Sequence, residues 1–216
     1  MKQLFPGVFE INRRIATKSF SPGFSVYGEQ TLKENGSEFR FWDPRRSKLG
    51  AAIVRGLKQM PIKPGSKVLY LGAANGTTSS HVSDIVGKEG EVYCIEFAAR
   101  SMRDLIRVCE KRENMLPLLK DARFPMEYSE LGLVDVVFED VADPEQARIL
   151  NENAVFLKKG GFAMIAVKAR CVSSVVEPKK VYAEVKKELL EKYDIVEEFE
   201  LDPFETDHLF LLLKKK

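Results

Sequence analysis

From residue 66 onward, short apolar runs alternate with segments whose apolar residues recur every three or four positions. The runs have the length of buried strands and the periodic segments are typical of amphipathic helices, so the pattern predicts an α/β fold. The predicted strands are 67–71, 91–96, 116–119, 134–138, 162–167, 195–199 and 208–213. Because only a short turn containing Pro203 joins the last two, they are expected to form an antiparallel hairpin at the end of a seven-stranded, mostly parallel sheet.

The apolar faces of the helices follow from the same spacing. One helix is predicted to place Met102, Leu105, Ile106 and Cys109 inward, another to span about 144–157, and a long one to carry Val181, Val185, Leu189 and Tyr193 on one face. A helix with Leu49, Ile53, Val54 and Leu57 is expected to enter the sheet domain and to end before Pro61.

The first 45 residues have a different character. They are rich in Gly, Pro, Phe and Ser and contain β-like runs at 8–11 and 38–42. We therefore predict a small β-rich N-terminal domain over residues 1–45 and the α/β domain over 46–216.

Composition and charge narrow the class of protein. A chain of 216 residues with 44% hydrophobic and 31% charged residues has enough apolar surface for a core, which excludes wholesale disorder. The net charge of +2 excludes a protein that coats nucleic acid unaided, so polyanion contacts must come from local clusters such as Arg45-Arg46-Lys48.

The three cysteines lack C-x-x-C spacing, and neither a disulfide framework nor a metal site is predicted; we expect reduced core or near-core residues. No signal peptide or membrane span is evident, which predicts a soluble, cytoplasmic protein with no membrane partner.

The first strand of the sheet leads into a small-residue loop, Gly72-Ala73-Ala74-Asn75-Gly76-Thr77-Thr78, that opens a helix. Bare N–H groups at a helix start favour a carboxylate or phosphate. The loop departs from the dinucleotide pattern G-x-G-x-x-G because Ala74 stands where the second glycine belongs. A plain strand-to-helix turn is the alternative interpretation.

Acidic residues follow the next two strands. Glu96 lies twenty residues past Gly76, where a carboxylate can accept two ribose hydroxyls and would repel a 2′-phosphate. Asp121 and Ala122 are expected to meet an adenine edge. Taken alone, each acid is an ordinary loop residue. Suitable residues follow three successive strands in the order that an adenosine site needs, and together they favour such a site.

Four residues are candidates for the chemistry: Lys48 in the entering helix, Asp140 after the fourth strand, Lys168 after the fifth, and His208 at the start of the last. Lys168 and Asp140 should emerge together in the crevice. The alternatives are a purely structural ion pair for Lys168 and a hydrogen-bonded boundary residue for His208.

Several segments together resemble the fibrillarin family in its compact archaeal form. They are Leu69–Asp84 (LYLGAANGTTSSHVSD), Arg45–Leu49 (RRSKL), Asp121–Arg123 (DAR), Asp140–Pro144 (DVADP) and Ile165–Arg170 (IAVKAR). The resemblance implies a Rossmann-like methyltransferase that uses S-adenosylmethionine and no metal to methylate ribose 2′-oxygens of rRNA, and by extension tRNA. It also implies a role as the catalytic subunit of the C/D box ribonucleoprotein. The implied partners are the C/D guide RNA, the target RNA, a Nop-family scaffold protein and a kink-turn-binding ribosomal-type protein.

The resemblance also assigns residues. It implies a cofactor pocket formed by Gly72, Ala73, Gly76, Thr77, Thr78, Glu96, Phe97, Asp121, Ala122, Asp140, Val141, Ala142, Asp143 and Gln146. It implies acceptor chemistry by Lys48, Asp140 and Lys168, with His208 where related ribose methyltransferases carry a glutamate. Asn75, Asp143 and Cys171-Val172 depart from the family pattern, and Asp143 matters most because an extra carboxylate could alter how this loop meets the cofactor.

Three rival functions stay open at this point. A methyltransferase acting on a protein or small molecule would share the cofactor loops, and an NAD enzyme would be expected to have glycine in place of Ala74. A non-catalytic subunit of an RNA complex would keep only a vestigial pocket.

Overall fold

The computed structural model describes residues 1–216 and contains two β-sheets. The first is antiparallel, with the order β1-β2-β3-β5-β4, and consists of β1 (Lys2–Phe5), β2 (Val8–Ile11), β3 (Arg14–Lys18), β4 (Thr31–Glu34) and β5 (Ser37–Phe41). The second has seven strands in the order β11-β12-β10-β9-β6-β7-β8. They are β6 (Lys67–Leu71), β7 (Glu91–Glu96), β8 (Met115–Leu119), β9 (Val134–Glu139), β10 (Leu157–Lys168), β11 (Tyr193–Glu200) and β12 (His208–Lys215).

The predicted α/β fold is confirmed. In the second sheet, β12 pairs antiparallel with both β10 and β11, and the remaining pairs are parallel. Because β7 lies on one side of β6 and β9 on the other, the chain order reverses between β6 and β9. Ligands of open α/β sheets bind in the crevice at the carboxyl ends of the strands beside such a reversal.

Helices cover both faces of this sheet. They are α1 (Lys48–Arg55), α2 (Thr77–Val86), α3 (Ala99–Cys109), α4 (Gln146–Asn153), α5 (Ala169–Val172) and α6 (Pro178–Leu189), with 3-10 segments at Pro44–Arg46, Pro125–Leu131 and Ala154–Phe156. Alternate residues of β6 enter different cores: Val68 and Tyr70 pack with residues of α1 to α3, whereas Leu69 and Leu71 pack with residues of α4 and α6. No helix is both long and apolar enough to span a membrane.

Some details of the predicted helices are wrong. The buried stripe of α3 is centred on Leu105 and includes Val108, so Ile106, one residue's rotation away, is 41% exposed. Tyr193 is buried as expected but begins β11, because α6 ends at Leu189. Val54 is exposed on α1, and Cys171 is exposed rather than near the core.

The N-terminal sheet packs against α2. Val8 and Ile15 of this sheet lie in the same apolar cluster as Trp42 and Ile85. Beside them, Asp84 of α2 forms buried ion pairs with Arg40 of β5 and with Arg112, at 2.7 and 2.6 Å. The chain thus has a separate small sheet, as predicted, and that sheet shares a core with the larger one; the domain boundary at residue 45 stays a prediction.

Candidate active site

A cavity of about 340 Å³ lies at the carboxyl ends of strands β6 to β10. Fifteen residues line it: Gly72, Ala74, Ile95, Glu96, Phe97, Lys120, Asp121, Ala122, Arg123, Asp140, Val141, Ala142, Asp143, Ile149 and Lys168. The ends of five parallel strands and the loops after them supply all of these residues except Ile149, which lies on α4. This is the crevice that the strand order predicts.

The loop after β6 has a backbone that only small residues accommodate. Gly72 has a φ of +79°, and a Cβ there would lie 3.0 Å from the backbone oxygen of Asp140. Ala74 has a φ of +49°, so the position where a dinucleotide motif has glycine is left-handed here as well. No side chain caps the start of α2, which leaves the N–H groups of its first turn facing the loop.

Glu96 connects this loop to the end of β7. Its Oε2 accepts a hydrogen bond from the N–H of Ala74 at 2.9 Å, and its Oε1 accepts one from Ala98 at 2.7 Å. The residue is 7% exposed and lines the cavity. Because each carboxylate oxygen has two lone pairs, acceptor capacity remains for ligand hydroxyls.

Asp121 follows β8, the strand beside β7, and forms a pair that the sequence did not reveal. Both of its carboxylate oxygens accept hydrogen bonds from the guanidinium of Arg123, the shortest at 2.6 Å. These hydrogen bonds lower the pKa of Asp121, which keeps the carboxylate ionised. Ala122 is buried beside it, whereas Phe97 is 69% exposed at the rim.

The loop after β9 forms the floor. Val141, Ala142 and Asp143 line the cavity, and Asp143 accepts a hydrogen bond from the N–H of Glu145 at 2.8 Å, which opens α4. Gln146 does not line the cavity: its side chain accepts from the N–H of Lys168 at 3.0 Å and donates to the carbonyl of Lys168 at 3.3 Å. Gln146 therefore supports a site residue through its backbone.

A second cavity of about 330 Å³ adjoins the first. It is lined by Arg45, Arg46, Lys48, Tyr70, Gly72, Ala73, Ala74, Asn75, Thr77, Thr78, Asp140 and Glu205. Gly72, Ala74 and Asp140 line both cavities and form the boundary between them.

At this boundary Asp140 lies between two lysines. Its Oδ1 is 2.8 Å from Nζ of Lys168 and 3.5 Å from Nζ of Lys48, and Lys168 also donates a hydrogen bond to the backbone carbonyl of Asp140 at 2.8 Å. The three side chains are only 12 to 21% exposed. The pair that the sequence predicted from two strand ends is thus formed, and Lys48 joins it.

Besides Gln146, two of the predicted residues lie outside both cavities. Gly76 packs toward Leu105 and Val108 of α3, where a Cβ would come within 3.3 Å of their side chains. His208 faces Lys168 in the register of β12 against β10, but its Nδ1 lies 2.7 Å from the carbonyl of Thr206. Because a carbonyl only accepts, Nδ1 is the donor in this hydrogen bond. The catalytic role of His208 stays a prediction.

Sequence reasoning did not assign several residues that the structure brings to the site. Arg45, Arg46, Lys120, Arg123 and Glu205 line the cavities, although only their place in charged clusters could have indicated them.

Glu139, at the end of β9, is fully buried, and neither of its carboxyl oxygens has a hydrogen-bond partner. Burial raises its pKa well above the ordinary range for a glutamate.

The chain matches the Fibrillarin family model over residues 1–216. A fibrillarin-like rRNA/tRNA 2′-O-methyltransferase of Pyrococcus horikoshii is 52% identical over 221 residues, which cover 99% of this chain and 97% of that protein. The fibrillarin pre-rRNA processing protein of Methanococcus jannaschii superposes with a TM-score of 0.95 at 47% identity, over 99% of this chain and 96% of its own.

Two further structures contain ligands or partners. The fibrillarin of Aeropyrum pernix with natively bound S-adenosyl-L-methionine has a TM-score of 0.88 and 46% identity, over 95% of this chain and 92% of its own. Fibrillarin in a complex with Nop5p has a TM-score of 0.90 and 38% identity, and each chain is fully covered. Because these matches span nearly the whole chain at high sequence identity, the chain belongs to the fibrillarin family.

Proposed function

We propose that this protein transfers a methyl group from S-adenosylmethionine to ribose 2′-oxygens of RNA, as the catalytic subunit of a C/D box guide ribonucleoprotein. The observation that carries the proposal is the position of Asp140 on the boundary of two cavities, with Lys168 on one side and Lys48 on the other. A group transfer between two bound molecules needs such a meeting point.

The polar groups of the first cavity suit the adenosine part of the cofactor. Glu96 and Asp121 are acceptors for the hydroxyls and the amine of an adenosine, and across the boundary, in the second cavity, the uncapped start of α2 offers N–H donors to a carboxylate. A side chain at position 72 would collide with the backbone of Asp140, so the cavity wall at Gly72 is bare backbone. A fibrillarin at 46% identity binds S-adenosyl-L-methionine, which supports the assignment.

The reaction requires alignment and removal of a proton. When bound, S-adenosylmethionine supplies a methyl group on a cationic sulfur, already a strong electrophile. A ribose hydroxyl is a poor nucleophile, so the residues of the chain must orient it and stabilise its oxygen as the proton leaves. In our proposal an Nζ–H of Lys168 stabilises the 2′-oxygen as it takes the methyl group from the sulfur and its proton passes to water. Asp140 and the amide of Gln146 fix Lys168, and Lys48 binds the acceptor.

The proposed partners follow from charge and from the relatives. A net charge of +2 indicates weak RNA binding by the free chain, so guide base pairing and partner proteins would supply selection and affinity. The fibrillarin/Nop5p complex supports a Nop-family scaffold as one partner. The guide RNA, the target RNA and a kink-turn-binding protein complete the proposed particle.

The test is transfer of labelled methyl from S-adenosylmethionine to a target RNA, with and without the reconstituted guide particle. The modified position is read by resistance of the phosphodiester bond to alkaline cleavage. Label at one guided 2′-oxygen, only with the particle present, is the expected result. Cofactor binding without transfer would favour another acceptor such as a protein, and absence of cofactor binding would favour a non-catalytic subunit.

The role of Lys168 has a matched control on the same strand. Lys168→Ala should lower kcat by about 10²- to 10³-fold, the range for loss of a donor that stabilises a developing oxyanion, while S-adenosylmethionine affinity changes little. Lys158, at the other end of β10, is exposed and paired with Asp135. Lys158→Ala should leave kcat unchanged. Normal turnover of Lys168→Ala would overturn the assignment.

A further inference from the structure

Glu205 lies in the turn between β11 and β12 and lines the second cavity. This turn is anchored on both sides. The N–H of Glu205 donates to the carbonyl of Leu201 at 3.3 Å, and the carbonyl of Asp207 accepts from the N–H of Ala169 at 3.1 Å, just past Lys168. The backbone that carries Glu205 is therefore held beside the carboxyl end of β10.

The carboxylate of Glu205 faces the ammonium of Lys48. The distance from Oε1 to Nζ is 3.7 Å, close to the 3.5 Å that separates the same Nζ from Oδ1 of Asp140. Charges of opposite sign thus alternate through Lys168, Asp140, Lys48 and Glu205. A lysine side chain has many rotamers, and two carboxylates on different elements restrict its ammonium to the space between them.

The neighbouring arginines differ from Lys48 in this respect. Arg45 and Arg46 line the same cavity, are exposed, and form no ion pair. An RNA phosphate that enters the cavity will be attracted most strongly to cations whose charge is not already compensated. Arg45 and Arg46 meet this condition, whereas Lys48 has two carboxylates beside it.

We propose that Glu205 is a positioning residue: together with Asp140 it holds the Lys48 ammonium at the boundary of the two cavities, toward the reacting hydroxyl and away from the RNA phosphates. The inference rests on the proposed methyl transfer to RNA. It assigns Glu205 to turnover and Arg45 and Arg46 to phosphate binding.

The test compares Glu205→Gln with the wild type in the assembled guide particle, by kcat, by KM for target RNA and by Kd for S-adenosylmethionine. Because Lys48 loses one of its two restraints, kcat should fall about tenfold, as misplacement of a reacting group costs up to about 10²-fold. KM for RNA should stay equal or fall, since a negative charge is lost beside the phosphates. Glu198→Gln controls for the change in net charge. Glu198 is exposed on β11 and paired with Lys186, so this variant should match the wild type.

A double variant tests whether Glu205 acts through Lys48. In a Lys48→Ala background, adding Glu205→Gln should leave the residual turnover unchanged, because the group to be positioned is gone. Multiplied losses in the double variant, or a raised KM with unchanged kcat for Glu205→Gln, would overturn the inference. An inactive wild-type particle is a different outcome, since it would refute the proposed function and the inference with it.

Discussion

The buried charge cluster under the N-terminal sheet offers a sharp test of what holds the molecule together. Asp84 Oδ2 accepts hydrogen bonds from Oγ1 of Thr17 at 2.6 Å and from Arg40 at 2.7 Å. Its Oδ1 accepts from Arg112 at 2.6 Å and from the N–H of Phe20 at 2.8 Å. In Asp84→Asn one of these two acceptor atoms becomes an NH₂ group that faces donors, and the negative charge between two guanidiniums is lost.

The expected loss of stability is large. The side chains of Asp84, Arg40 and Arg112 are all 0% exposed, so water cannot replace the missing acceptor. Removal of one partner from a buried ion pair costs about 3–5 kcal/mol. At about 2–4 °C per kcal/mol for a chain of this size, the thermal midpoint should fall by about 6–20 °C.

The assay is thermal and urea unfolding of Asp84→Asn beside Asp104→Asn. Asp104 is paired with Arg107 at 3.6 Å on the exposed face of α3, with both side chains more than half exposed. Exposed pairs contribute about 0–1 kcal/mol, so this control should unfold like the wild type. Equal midpoints for the two variants would refute the reasoning, because the buried guanidiniums would then not depend on Asp84. A cooperative transition at lower temperature would also indicate that residues 1–45 unfold with the rest.

Two further predictions concern glutamates at strand ends. Glu96→Gln replaces with an NH₂ group one of the two carboxylate oxygens that accept from Ala74 and Ala98. S-adenosylmethionine should then bind about 10- to 100-fold more weakly, as measured by calorimetry. An unchanged Kd would contradict the place of Glu96 in the cofactor pocket. Burial raises the pKa of Glu139, so the folded state keeps its proton when the unfolded state, near the ordinary value of 4.5, has lost it. The wild type should therefore lose stability relative to Glu139→Gln as pH rises above about 4.5, by about 1.4 kcal/mol per pH unit until the folded pKa is reached, whereas a pH-independent difference in urea unfolding would contradict a protonated Glu139.

The sequence predicted the sheet because its strands are buried on both faces. Runs such as 67–71 and 91–96 have the apolar length of a parallel strand; Gly72 follows the first, and the second ends in the acid Glu96. The N-terminal sheet was predicted only in part: five strands formed where two β-like runs were recognised. Strands β3 (RIATK) and β4 (TLKE) have too few apolar residues to be recognised as strands, and their pairing depends on contacts with distant segments.

The site was predictable where it depends on strand ends. Asp140 and Lys168 follow apolar strands, and the parallel topology alone brings them together. Glu205 and Arg123 were missed because a turn and a loop carry them, and no periodicity indicates where a loop side chain points. Gln146 was placed near the cofactor, but its amide instead fixes the backbone of Lys168, a contact that only coordinates reveal.

The distribution of charge in the site also bears on how the protein selects RNA. Lys168, Asp140, Lys48 and Glu205 cancel one another, so the reacting centre has little net attraction for a polyanion. Only Arg45 and Arg46 in the second cavity remain to bind phosphate, and each neutralised phosphate changes affinity by a salt-dependent but modest amount. With two uncompensated arginines in the second cavity, the site itself supplies little affinity for a random RNA. The charge pattern of the site therefore fits the proposed guided reaction, in which partner molecules present the ribose.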